Sequence, residues 1–80
     1  MYIVYTTDKH HTIKSKLKAG IFTDRKIAIN SIGIYLSEQK MDLDLITSAM
    51  NQLTEIDQTQ CLENYELIIE AMDNVNELDL

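Results

Sequence analysis

The chain has one cysteine, two glycines, and no lysine or arginine beyond Lys40. A lone Cys61 closes no intrachain disulfide, which fits a reducing compartment, and a nucleophilic role for its thiol needs a base beside it. Two isolated glycines, Gly20 and Gly33, cannot form a phosphate-cradling loop, and no Gly-x-Ser-x-Gly elbow presents a serine nucleophile. No stretch approaches the ~20 consecutive apolar residues of a membrane-spanning helix. The first eight residues lack the basic segment and the apolar length of a signal peptide. The expectation is a soluble, cytoplasmic, non-enzymatic protein with no metal, no cofactor and no membrane contact.

The bases missing from the second half are matched there by carboxylates. Lys9, Lys14, Lys16, Lys18, Arg25, Lys26 and Lys40 all lie in residues 1–40, against Asp8, Asp24 and Glu38, a net +4. Residues 41–80 hold ten carboxylates and no base, a net −10. A field divided in this way selects partners without dictating the fold. The overall −6 disfavours direct nucleic-acid binding, which needs clustered Lys and Arg. Eighty residues make one small domain that buries little more than ~60% of its unfolded surface. So thin a core leaves little room for a small-molecule pocket of roughly 300 Å³ or more.

Periodicity orders the elements. Residues 2–7 are β-branched and aromatic with apolar side chains on both faces, which suits a central strand. Residues 8–11 read as a polar loop. Ile13, Ser15, Leu17, Ala19 and Ile21 alternate with Lys14, Lys16, Lys18 and Gly20, a strand pattern with one basic face. A short helix capped by Thr12 and stopped at Gly20 is the competing reading. Thr23-Asp24 then caps a helix over residues 24–39, whose stripe is Ala28, Ile29, Ile32, Tyr35 and Leu36. Ile27 and Ile34 lie off that stripe, and Gly33 marks a close approach. Asp42 starts a second helix carrying Leu45, Ile46, Ala49, Met50 and Leu53 at 3–4 spacing. After a polar linker, residues 65–72 alternate Leu67 and Ile69 with Glu66 and Glu70, a strand with a partly acidic outer face. The order β-β-α-α-β predicts an α+β fold, a three-stranded, mostly antiparallel sheet with two helices on one face. Residues 1–72 form the compact domain and residues 73–80 an acidic tail.

Chemistry-bearing clusters are few. Asp8, His10 and His11 read as an exposed polar loop, because adjacent histidines on an extended chain point to opposite faces and cannot share one ion. Asp42 and Asp44 suit the positive end of a helix dipole. The lysine ribbon at residues 14–18 is the kind that guards an edge strand against unwanted pairing. The remaining candidate is the acidic surface of the second half. Glu63, Glu66, Glu70, Asp73 and Glu77, with Tyr65 as an aromatic anchor, form a candidate row that occupies a basic protein surface normally filled by phosphates.

Three stretches, Tyr2-Ile3-Val4-Tyr5, Gly20-Ile21-Phe22-Thr23-Asp24-Arg25-Lys26-Ile27-Ala28 and Tyr65-Glu66-Leu67-Ile68-Ile69-Glu70, resemble a loose class of short accessory proteins of phages and other mobile elements. The shared motif is strand-to-helix capping chemistry and carries no catalytic residue. The resemblance implies a small protein that modifies or inhibits a host system; with the acidic surface, the expectation is an inhibitor or modulator of a host nucleic-acid-handling defence protein. The alternative expectation is a homodimeric structural or regulatory protein, or an antitoxin-like partner, with Ile27 and Ile34 in its interface.

Overall fold

A computed structural model describes residues 1–72, and Asp73 and Glu77 lie outside the described residues. Strand β1 (Tyr2–Thr7) leads through a loop and a 3-10 turn at Ile13–Ser15 into strand β2 (Leu17–Phe22). Helices α1 (Arg25–Glu38) and α2 (Leu43–Ile56) follow, and strand β3 (Glu66–Ala71) closes the domain. The fold is α+β in the expected order. The three strands form one sheet, β2-β1-β3, antiparallel throughout.

Register assigns the two sheet faces. Val4 stands between Gly20 and Ile69, and Thr6 between Leu17 and Leu67. Cross-strand partners point to the same side. Val4, Leu67 and Ile69 are buried together with Ala28, Ile29, Ile32 and Leu36 of α1 and Ile46, Ala49 and Leu53 of α2. That is the core cluster of the described residues, and it places both helices on one face. The opposite face carries Ile3, Tyr5 and Thr7 with Ile21, Lys18, Glu66, Ile68 and Glu70.

The ambiguous segment 13–22 is a strand only from Leu17. A register shift between Val4 and Tyr5 leaves Ala19 as an extra residue on β2. Because side chains alternate with period two, one extra residue reverses the parity of everything beyond it. Leu17 therefore faces the helices while Ile21 faces away, so the expected single apolar row does not form. Nor do the three lysines share a row, since Lys14 belongs to the 3-10 turn.

Helix ends follow from particular residues. Asp24 caps α1 by accepting from the Lys26 amide at 2.7 Å, with no carboxylate in the first turn. Lys40 has φ 59, its amide donates to the Ser37 carbonyl at 3.0 Å, and the Met41 amide donates to the Leu36 carbonyl at 3.4 Å. This is a Schellman ending with lysine where glycine is usual, and Met41 packs on the core as its apolar partner. Asp42 holds the N-cap position of α2 but makes no capping bond with its side chain. Asp57, at φ 61, ends α2.

The linker expected as plain coil also has a structural part. Thr59 is buried, its amide donates to the Leu67 carbonyl at 2.9 Å, and its hydroxyl accepts from the Leu67 amide at 2.9 Å. The Ile69 amide donates to the Asp57 carbonyl at 2.8 Å. Residues 57–59 thus cover the outer edge of β3. Gln52 Oε1 ties the next turn to α2 by accepting from the Gln60 and Cys61 amides at 2.6 and 3.1 Å.

Candidate functional site

The acidic row separates once its residues are placed. Glu66 and Glu70 do point away from the core, as the alternation of β3 implies. Glu66 is nonetheless buried, because the loop after β1 lies over it. His11 Nε2 contacts Glu66 Oε1 directly, and Lys9 Nζ lies 3.7 Å from Oε2. Glu70 accepts from Lys16 Nζ at 2.9 Å, and that ammonium also sits 4.2 Å above the Tyr5 ring. Two members of the row are therefore engaged with the protein's own cations. Glu63 is exposed in the linker. Tyr65 is half-buried and packs against the core. Burial, and then the neighbouring Tyr35, raise its hydroxyl pKa above the usual 10.0.

The Asp8-His10-His11 cluster builds the loop that covers Glu66. Asp8 Oδ1 accepts from the His10 and Thr12 amides, both at 3.0 Å, and Oδ2 accepts from the Thr12 hydroxyl at 2.7 Å. The Asp8 amide donates to Ser15 Oγ at 3.0 Å. The Thr12 amide, and then the Thr12 hydroxyl, hold the Asp8 carboxyl below its ordinary 3.8, because both favour the charged form. These bonds form an Asx-type staple. His11, at φ 55, then turns towards Glu66, while His10 stays exposed. Among the described residues no group of three or more His, Cys, Asp or Glu is placed to hold a metal ion. Cys61 is half-buried, with Sγ 4.0 Å from the Leu45 carbonyl.

A different surface emerges on the outside of the helical layer. The flank of α1 bearing Gly33, Ile34 and Glu38 and the flank of α2 bearing Leu43, Ile46 and Met50 form a broad open groove of about 670 Å³. Gly33 permits its shape. A Cβ at that position would lie 2.8 Å from Met50 Sδ, so the thioether lies across the bare backbone of α1. Ile34 is 62% exposed and Leu43 77% exposed, large aliphatic groups that the fold leaves in water. Ile27, one heptad before Ile34, extends the stripe towards the start of α1. At the other end Glu38, Asp42 and Asp44 are exposed and make no ion pair with a described residue, and Lys40 is the one nearby base in the connection.

Comparison of the chain with family models, curated proteins and solved structures finds no match. The sequence signalled this groove through Ile27 and Ile34, which do not fit the core stripe. It did not signal Leu43, the first residue of α2, which lies outside the apolar stripe read for that helix.

Proposed function

We propose that the protein is a non-enzymatic protein-binding module whose working surface is the α1–α2 groove. Its partner is a basic amphipathic helix. The observation that carries this reading is the combination of Ile34 and Leu43, aliphatic and more than half exposed, with the exposed carboxylates of Glu38, Asp42 and Asp44 at the same end, which make no ion pair with a described residue. An apolar floor recognises the apolar stripe of a helix, and an acidic end selects a basic one and speeds encounter. Basic helices are the parts with which many proteins hold nucleic acid. An acidic module that covers such a helix would modulate a nucleic-acid-handling protein, one form of the host-modifying role that the resemblance to mobile-element accessory proteins implies. The acidic element that supports the role is the end of the helical layer, in place of the β3 row.

The test uses a sixteen-residue amphipathic Leu/Lys helix as probe and amide chemical shifts of the full chain as readout. Shifts are expected at Gly33, Ile34, Ser37, Leu43 and Met50. Ile34→Gln with Leu43→Gln should weaken binding at least tenfold while the fold stays intact, since changes at exposed positions usually stay within about 0.5 kcal/mol. Unchanged affinity of that double variant, or shifts confined to the sheet, defeats the reading. A concentration-dependent dimer that the same variant dissolves would replace the foreign helix with a second copy, as the homodimer alternative holds.

A further inference from the structure

Among the described residues the sheet has one guarded edge and one open edge. Residues 57–59 bond along the outside of β3, whereas β2 makes no backbone hydrogen bond on its outer side to any described residue. Beside that open edge, between β2 and α1, lies a cavity of about 180 Å³. Val4 and Thr6 form its floor, Ala19 and Phe22 its strand wall, and Ser31 and Tyr35 its helix wall. The extra residue at Ala19 creates this space, because the reversed parity places Ala19 and Gly20 where larger side chains would close it. Gly20 contributes in a second way. A Cβ there would meet the Phe22 ring at 2.9 Å, and that ring forms part of the wall. Leu17, 65% exposed, also projects on the helix side of the same strand.

From these features we infer that the cleft between β2 and α1 is a second binding site, separate from the α1–α2 groove, which takes an extended acidic segment of another protein as a fourth strand on β2 and seats one apolar side chain in the cavity. Strand addition draws its affinity from main-chain hydrogen bonds and its specificity from a side-chain pocket, and both parts are present here. The cavity falls below the ~300 Å³ of ordinary small-molecule sites but is close to the ~150 Å³ that holds a benzene-sized ring. It suits one anchoring side chain and not a metabolite. Charge sets the sign of the partner: residues 9–23 contain no carboxylate, and although Lys9 and Lys16 bond to Glu66 and Glu70, Lys14 at the approach to β2 makes no ion pair with a described residue. A second copy of β2 would bring the same positive charge against itself, whereas an acidic strand is attracted.

The probe is a nine-residue peptide of alternating Glu and Val with one central Phe, titrated into the isotopically labelled full chain. Binding should slow amide exchange along Leu17–Phe22 and shift Ser31 and Tyr35. Replacing the peptide's Phe by Ser should weaken it at least tenfold. Ser31→Phe, which fills the cavity from α1, should do the same. Lys14→Glu, a surface change that leaves the cavity as it is, should weaken binding at least twofold. The inference is overturned if the peptide's shifts fall outside β2 and the adjoining face of α1. Equal binding of a peptide with Lys in place of Glu overturns it too, as does self-association through β2 in the absence of peptide.

Discussion

Replacing Arg25 by methionine tests the joint that fixes the helical layer. The Arg25 guanidinium donates through Nη2 to the Leu53 and Thr54 carbonyls at 2.7 and 2.8 Å, and to Asp57 Oδ1 at 2.6 Å. Its Nε donates to the same carboxylate oxygen at 2.9 Å. One side chain at the start of α1 thus bonds the Thr54 carbonyl and the Leu53 carbonyl, which also accepts from the Asp57 amide at 3.1 Å, and holds the residue that ends that helix. The ion pair is partly exposed, 33% on Arg25 and 55% on Asp57, so screening limits it to about 0.5 kcal/mol. A cation against a helix C-terminus adds about 0.3–1 kcal/mol. Charge-assisted bonds to two carbonyls in half-exposed surroundings add roughly another 0.5–1 kcal/mol after water competes for them.

Methionine keeps much of the aliphatic stem and removes only the fork, so Arg25→Met should cost about 2 kcal/mol. At about 4–8 °C per kcal/mol for a domain of this size, that lowers Tm by roughly 10 °C. Asp57→Asn is the control. Asparagine tolerates the left-handed backbone of Asp57, so only the ion pair is lost, about 0.5 kcal/mol. Urea unfolding of both variants at neutral pH measures the two differences. An Arg25→Met variant within 0.5 kcal/mol of wild type, or an Asp57→Asn variant that costs as much, refutes the argument that the carbonyl bonds carry the larger share.

Four further outcomes follow from the geometry. Lys40→Gly should stabilise the protein by about 0.5–1 kcal/mol in thermal or urea unfolding, because glycine adopts φ 59 without the Cβ penalty; a loss of stability would show that the Lys40 side chain contributes more than its backbone costs. Gly33→Ala should be neutral or stabilising by up to ~1 kcal/mol, since the helix gains propensity and the atom in the way is the movable end of Met50; a loss above 1 kcal/mol would mean that the thioether cannot move. The two histidines should part company: His10→Ala is expected to be silent in urea unfolding, while His11→Ala lowers the midpoint because it leaves the buried Glu66 with Lys9 alone at 3.7 Å. The Asp8 carboxyl, held down by the Thr12 amide and hydroxyl, should titrate below 3.8 by carbon NMR; its folded-state pKa is depressed, so its contribution is present above 3.8, disappears as pH falls through the folded value, and is absent in Asp8→Asn.

Element order and core were legible in the chain because they depend on periodicity, and periodicity is local. Ala28, Ile29, Ile32 and Leu36, and then Ile46, Ala49 and Leu53, repeat at helical spacing and are buried where that spacing places them. The alternation of residues 65–72 gave the correct face to Glu66 and Glu70. It could not show that the loop carrying His11 would cover one of them, since that contact joins residues 55 apart in sequence. The parity of β2 failed for a related reason. An extra residue in one strand is visible only against its partner, and nothing between Ile13 and Phe22 marks Ala19 as the one to be skipped.

The charge asymmetry acquires a different meaning once the chain is folded. Lys9 and His11 pair with Glu66, Lys16 with Glu70, and Arg25 with Asp57, and each pair joins a base from residues 1–40 to an acid from residues 41–80. Most of these contacts are exposed enough to be weak singly. Their arrangement still discriminates, because a strand slipped by one residue would carry Glu66 and Glu70 to the core side of the sheet, away from their cations. The segregation of charge thus favours the native pairing of β3 with β1 over its neighbours in register. Charge not used in this way is what a partner meets. On the described residues it is negative at the α1–α2 end, through Glu38, Asp42 and Asp44, and positive at the approach to β2, through Lys14. Raising salt should therefore weaken a basic helix in the groove and an acidic strand at β2 together, as the Debye length falls from ~10 Å at 0.1 M to about 3 Å at 1 M. Stability should change little over the same range, because the core that holds the two layers together is apolar. Partner binding that ignores salt while stability declines with it would reverse this division of roles.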